Sequence, residues 1–182
     1  MSEKVDILAI GAHPDDIELG CGGTLMKEIE MGKKVGLMDL TQGELGTRGS
    51  KEIRKQEAEL ARDFMGAKFR DNLLLEDCFF ENNRVNQINL ISKIRRYQPD
   101  IIMCNATDDR HIDHQKAAKL VVDSCFLSGL KKIETTFDGN TQDVWRPVNV
   151  YHYIQWKNLE PDFVIDISKY MKQKFDLINC YK

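Results

Sequence analysis

Short apolar runs alternate with longer stretches of helical period along nearly all of the 182-residue chain. That alternation specifies an α/β fold, Rossmann-like, with a mostly parallel sheet flanked by crossover helices. Residues 5–10 (VDILAI) read as a first buried strand, a helical stretch over 20–31 stops at Gly32, and 34–40 (KVGLMDL) reads as a second strand. Residues 51–65 carry Ile53, Glu57, Leu60, Ala61 and Phe64 on one stripe, the face such a helix would bury. A third strand is expected over 69–75, then a helix over 85–97 with Ile88, Ile91 and Ile94 three apart and Pro99 beyond its end. Residues 100–105 (DIIMCN) read as a fourth strand and 113–127 as a helix, followed by a surface loop over 131–147 rich in Thr, Asp, Gly and Asn. Residues 148–155 alternate like a strand and 163–167 suggest a shorter one. A last helix opens at Ile167-Ser168 and keeps its period to Lys182 without a stop signal, as a helix cut from a longer chain would.

A chain of this length with 42% hydrophobic residues supports one core, so a single domain over 1–182 is expected. Its 26 basic and 29 acidic residues are interspersed and leave a net charge of −3, which offers no footprint for nucleic acid and points to a small-molecule partner. Five scattered cysteines without a C-x-x-C pair argue against a disulfide framework and against a cysteine zinc site. The first apolar run is interrupted by Asp6 and too short for a signal peptide, and no run approaches a membrane span. A cytoplasmic location follows as the expectation.

The first strand runs into Gly11-Ala12-His13-Pro14-Asp15-Asp16 and the fourth into Asp108-Asp109-Arg110-His111-Ile112-Asp113-His114. Ligands of open α/β sheets bind at the carboxyl ends of strands, at the point where strand order reverses, so these two segments converge if their strands are neighbours there. A catalytic zinc takes three His or carboxylate ligands and keeps one open position. His13, one Asp of the pair and one His of the H-x-D-H string supply that set. The other aspartate is then free to act as general base, and the other histidine to stabilise an oxyanion or protonate a leaving amine, with Asp113 orienting it. Read singly, paired aspartates after a strand are a helix cap and H-x-D-H a chance string; together at two strand ends they describe a metal site.

The strings AHPDDIELGCGGTL, LTQGELGTRGSKEIRKQEA and DDRHIDHQKAA resemble the LmbE-like, PIG-L family of zinc-dependent N-acetylglucosaminide deacetylases. The resemblance implies one Zn2+ per chain on His13, Asp16 and His114, Asp15 as general base, and His111 facing the oxyanion with Asp113 behind it. It also implies substrate contacts from Arg54 and, as a looser match, Asp77. Within the family the chain looks closest to the branch that acts on N-acetylglucosaminyl malate in bacillithiol biosynthesis, and a homo-oligomer, often a hexamer, is implied. Family chains continue beyond this one with a segment that helps close the substrate site.

Other signals weigh less. Gly20-Cys21-Gly22-Gly23 fails the dinucleotide pattern, which needs glycine where Leu25 stands, so these glycines read as close packing. His152 reads as structural, and Trp145 and Trp156 as core or subunit contacts. The competing functions are a deacetylase of another N-acetyl sugar conjugate, a two-metal phosphoesterase built on the same acids and histidines, and a nucleotide-binding module without catalysis.

Overall fold

The computed structural model describes residues 4–47 and 49–182. Five parallel strands, β1 (Ile7–Gly11), β2 (Val35–Thr41), β3 (Arg70–Leu75), β4 (Ile101–Asn105) and β7 (Asn149–Tyr153), form one sheet in the order β3-β2-β1-β4-β7. Strand order reverses between β1 and β4, which places a crevice at their carboxyl ends. The expected α/β architecture is what the chain adopts.

Parallel strands are buried on both faces, so β1 is apolar throughout and its residues divide between two cores. Leu8 and Ile10 pack with Leu90, Ile94, Leu120 and Val121 of α3 (Arg84–Tyr97) and α4 (Ile112–Ser128). Ile7 and Ala9 face the other way, toward Ile17, Leu25, Ala61 and Leu177. That second layer comprises α1 (Asp16–Glu30), α2 (Lys51–Met65) and α5 (Met171–Ile178), which contact one another. Glycines in α1 permit close packing: a Cβ on Gly20 would lie 2.2 Å from the Tyr153 ring of β7, and one on Gly22 2.8 Å from Leu177 of α5.

Four expectations change in detail. The stripe on α2 is shifted in phase: of its members Ala61 is buried, but Ala58 and Met65 share that face, while Ile53, Leu60 and Phe64 remain about half exposed. Small alanines bring the helix close to its neighbours and turn the larger side chains outward. Within 131–147 lies a small hairpin, β5 (Thr136–Phe137) and β6 (Asn140–Thr141), whose Asp138-Gly139 turn has positive φ at both residues, the D-G hairpin signal. Residues 163–167 form no strand, because they pair with no neighbour, and Val164 is 81% exposed. The last helix follows a 3-10 turn at Ser168–Tyr170 and stops at Ile178 rather than running to Lys182. Among the described residues no helix is long and apolar enough to cross a membrane.

Candidate active site

Where β1 ends, Ala12 N–H donates to Asn105 Oδ1 at 3.0 Å, and Asn105 Nδ2 donates to Asp16 Oδ2 at 3.1 Å. One fully buried carboxamide thus fastens the end of β4 to the first turn of α1. Asp15 stands at the N-cap of α1 with φ 114°, yet its side chain caps no amide. A left-handed backbone at a non-glycine residue costs about 1–3 kcal/mol and persists where the surroundings enforce it. The result is a carboxylate left out of the helix cap and lining a cleft of about 440 Å³. Burial and the neighbouring Asp16 charge push Asp15 up to about 7, against the pull of Arg54.

Asp16 is 2% exposed and has no Lys or Arg partner among the described residues. Its neighbours are imidazoles: Oδ2 lies 3.5 Å from His13 Nδ1, and Oδ1 lies 3.1 Å from His114 Nε2. The far nitrogen of each ring is held by further carboxylates. His13 Nε2 lies 3.1 Å from Asp77 Oδ1 and 3.2 Å from Asp113 Oδ2, and His114 Nδ1 lies 2.8 Å from Asp109 Oδ2. Carboxylates behind imidazoles fix their tautomer and orientation, as around ligating histidines. Burial alone would lower His13, but Asp113, Asp16 and Asp77 outweigh it and push it up to about 10. The cage of anions favours positive charge at its centre.

The third imidazole, His111, lies with its ring centroid 4.6 Å from that of His13. It is the N-cap of α4, and its Nδ1 accepts the Asp113 N–H at 3.2 Å. That acceptor role puts the proton of the neutral ring on Nε2. The donor groups able to surround a cation are His13, His111 and His114, whose nitrogens lie within 4.8 Å of one another, and His13 with Asp77 and Asp113. Nitrogen and carboxylate donors in a buried, net negative cluster fit a divalent ion such as zinc.

Two assigned roles change. The Asp113 carboxylate does not contact His111; it holds His13 Nε2, accepts Cys78 N–H at 2.8 Å and pairs with Lys116, so His111 is oriented by the Asp113 backbone instead. Asp77, expected at a sugar hydroxyl, is 3% exposed with both oxygens engaged, Oδ1 beside His13 and Oδ2 accepting Leu45 N–H at 2.9 Å. It orients a histidine and anchors the 42–47 loop. Arg54 does reach the cleft, donating to Pro14 O at 3.3 Å and lying 3.7 Å from Asp15.

Sequence reasoning passed over Asn105, Asp109 and Gln155. Asp109 lay inside the D-D-R-H-I-D-H string; Gln155 follows β7, the strand beside β4, and donates to Asp16 Oδ1 at 2.8 Å. Its signal was position at a strand's carboxyl end. His152 is structural as expected, 2.7 Å from Asn105 O, and Trp145 packs on the core with its indole N–H on Pro99 O at 2.7 Å. Trp156 departs from the core reading: it is 67% exposed and lines the cleft.

Fold and site together define a doubly wound α/β protein with a His and carboxylate cluster, suited to a metal ion, at its switch point. The model of the family PIG-L, GlcNAc-PI de-N-acetylase, matches residues 8–125, and the chain belongs to that family of deacetylases, hydrolases of C–N bonds. The chain is 25% identical over 97% of its length to the diacetylchitobiose deacetylase of Thermococcus kodakarensis, covering 68% of that protein. It is 35% identical over 62% of its length to the uncharacterized deacetylase YaiS of Escherichia coli K12, covering 64% of it. It thus spans about two thirds of the length of these curated relatives. The crystal structure of the conserved protein TT1542 from Thermus thermophilus superposes with a TM-score of 0.91 at 32% identity, covering 97% of this chain and 78% of that one.

Proposed function

We infer that the chain is a zinc-dependent deacetylase of an N-acetylglucosaminide, N-acetylglucosaminyl malate being the expected substrate. One observation carries the reading: two imidazoles, each held from behind by carboxylate, converge on the buried Asp16 while the strained Asp15 stands beside them uncommitted to any cap. His13 through Nδ1, His114 through Nε2 and Asp16 would hold one ion per chain. When bound, zinc supplies Lewis acidity toward the amide carbonyl and toward water.

The remaining chemistry belongs to the chain. Asp15 takes a proton as the water oxygen adds to the acetyl carbon. His111, with its Nε2–H free of the helix, donates to the oxyanion that forms. Breaking the C–N bond releases acetate and an amine, which leaves with the proton that Asp15 received. Arg54, at the cleft beside Asp15, supplies a cation for the malate carboxylates, with Arg110 at the same cleft. A cytoplasmic location fits the unpaired cysteines, three of them buried. Exposed Ile53, Leu60 and Phe64 on α2 support a homo-oligomer.

Acetate release from a panel of N-acetylglucosaminides tests the reading. The expected result is turnover with the malate conjugate preferred over the methyl glycoside, a preference that Arg54→Ala abolishes. Turnover of phosphate esters without acetate release would contradict it.

A further inference from the structure

Three consecutive residues after β7 are each fastened to the catalytic edge. Gln155 Nε2 donates to Asp16 Oδ1 at 2.8 Å, Trp156 lies beneath the Arg110 guanidinium at 4.5 Å, and Lys157 Nζ donates to Asp108 Oδ1 at 2.6 Å. Arg110 is itself anchored, because its N–H donates to Asp109 Oδ1 while Asp109 Oδ2 holds His114. Trp156 is therefore tied from both sides to the groups around His114 and Asp16, although two thirds of it is exposed. A large aromatic side chain left in solvent, yet held in place by its neighbours and lining a polar cleft, is a surface prepared for a ligand.

We propose that Trp156, backed by Arg110, is the platform on which the pyranose ring of the substrate lies, with the 155–157 segment as the sugar-recognition element. The proposal rests on the N-acetyl sugar reading given above. A pyranose has an apolar face of C–H bonds and a rim of hydroxyls. An indole accepts the face, and leaves the hydroxyls to the cleft's polar groups. Arg110 covers part of the ring system and fixes its plane by cation–π contact. Gln155, sequence neighbour of the platform, keeps the sugar in register with Asp16. An ionised Asp16 only accepts and so takes the Nε2 side of the amide, and Oε1 is buried without a partner among the described residues.

The chain has two tryptophans, and Trp145 is partly buried against the core, so indole emission gives a reading independent of catalysis. Methyl N-acetyl-β-glucosaminide is titrated into metal-free protein. The same sugar and an acyclic amide, N-acetylethanolamine, are assayed as substrates with zinc-loaded wild type, Trp156→Ala and Trp156→Phe. Emission should change on adding sugar in wild type and not in Trp156→Phe, where only Trp145 reports. Trp156→Ala should raise KM for the sugar roughly tenfold, leave kcat within about threefold and leave the acyclic amide untouched, and Trp156→Phe should restore most of the loss. Equal losses on both substrates, or unchanged KM with dissociated subunits in sedimentation, overturn the platform, the latter making Trp156 a contact between copies. The two readings fail separately: no acetate from any sugar, with Trp156 emission still responding, defeats the hydrolase and leaves the platform standing. Turnover of the sugar with neither KM nor emission depending on Trp156 does the reverse.

Discussion

Asp16 and Glu18 sit two residues apart on α1, both buried, and meet opposite surroundings. Glu18 pairs with Arg70, whose guanidinium also grips Asp39 through two hydrogen bonds of 2.7 Å. Arg70 and Asp39 border a second cleft, of about 330 Å³, but their polar atoms are spent on one another. Asp16 faces imidazoles, carboxamides and the His13 backbone N–H, with no Lys or Arg partner among the described residues, beside the cleft that Asp15 lines. The pair teaches that burial of charge does not mark function; burial without a compensating cation, next to space for a ligand, does. Arg70 completes its cluster from within the chain, and the proposed ion would complete the other from outside.

The strongest way to break this comparison is to remove an imidazole. His13→Ala or His114→Ala should abolish tight zinc binding, read as metal content after dialysis, while Arg70 variants should not. Next in size, Asp15→Asn should retain zinc and lose about 10²–10⁴ in acetate-release rate, the worth of a general base. Third, Arg70→Met leaves Asp39 and Glu18 buried without their cation and should cost about 3–5 kcal/mol in urea denaturation. The folded variant should still take up zinc; if zinc uptake is lost as well, the two clusters are one and the contrast fails.

The smallest effect belongs to Asp71, a partly exposed counterpart. Burial would raise its carboxyl, but hydrogen bonds from Lys93 and Tyr97, both at 2.6 Å, hold it below the usual range. Its folded pKa being depressed, the stabilisation is present above the unfolded pKa and is lost as pH falls through the folded one. Asp71→Asn should therefore cost about 0.5–1 kcal/mol at pH 7, and the difference from wild type should vanish in strong acid, as followed by thermal melts across pH.

The architecture was legible because strand and helix differ in hydrophobic period, and the site because its donors cluster at two strand ends that topology makes adjacent. What was not legible depends on phase and on distance along the chain. Periodicity finds α2 and its buried Ala61 but cannot tell that Ala58 and Met65, rather than Leu60 and Phe64, share that inward face. The H-x-D spacing brings Asp113 near His111 without revealing that its carboxylate turns to His13, a hundred residues away. Gln155 and Trp156 carry no motif at all, and reach the site only because β7 lies beside β4.

The central claim is that Asp16 holds the ion and Asp15 does not. Zinc bound per chain, measured on metal-free full-length protein titrated with zinc for wild type, Asp15→Asn and Asp16→Asn, tests it most directly. The account predicts one tight ion in wild type, one in Asp15→Asn and none in Asp16→Asn. The reverse pattern between the two variants, or two tight ions in wild type, would contradict it.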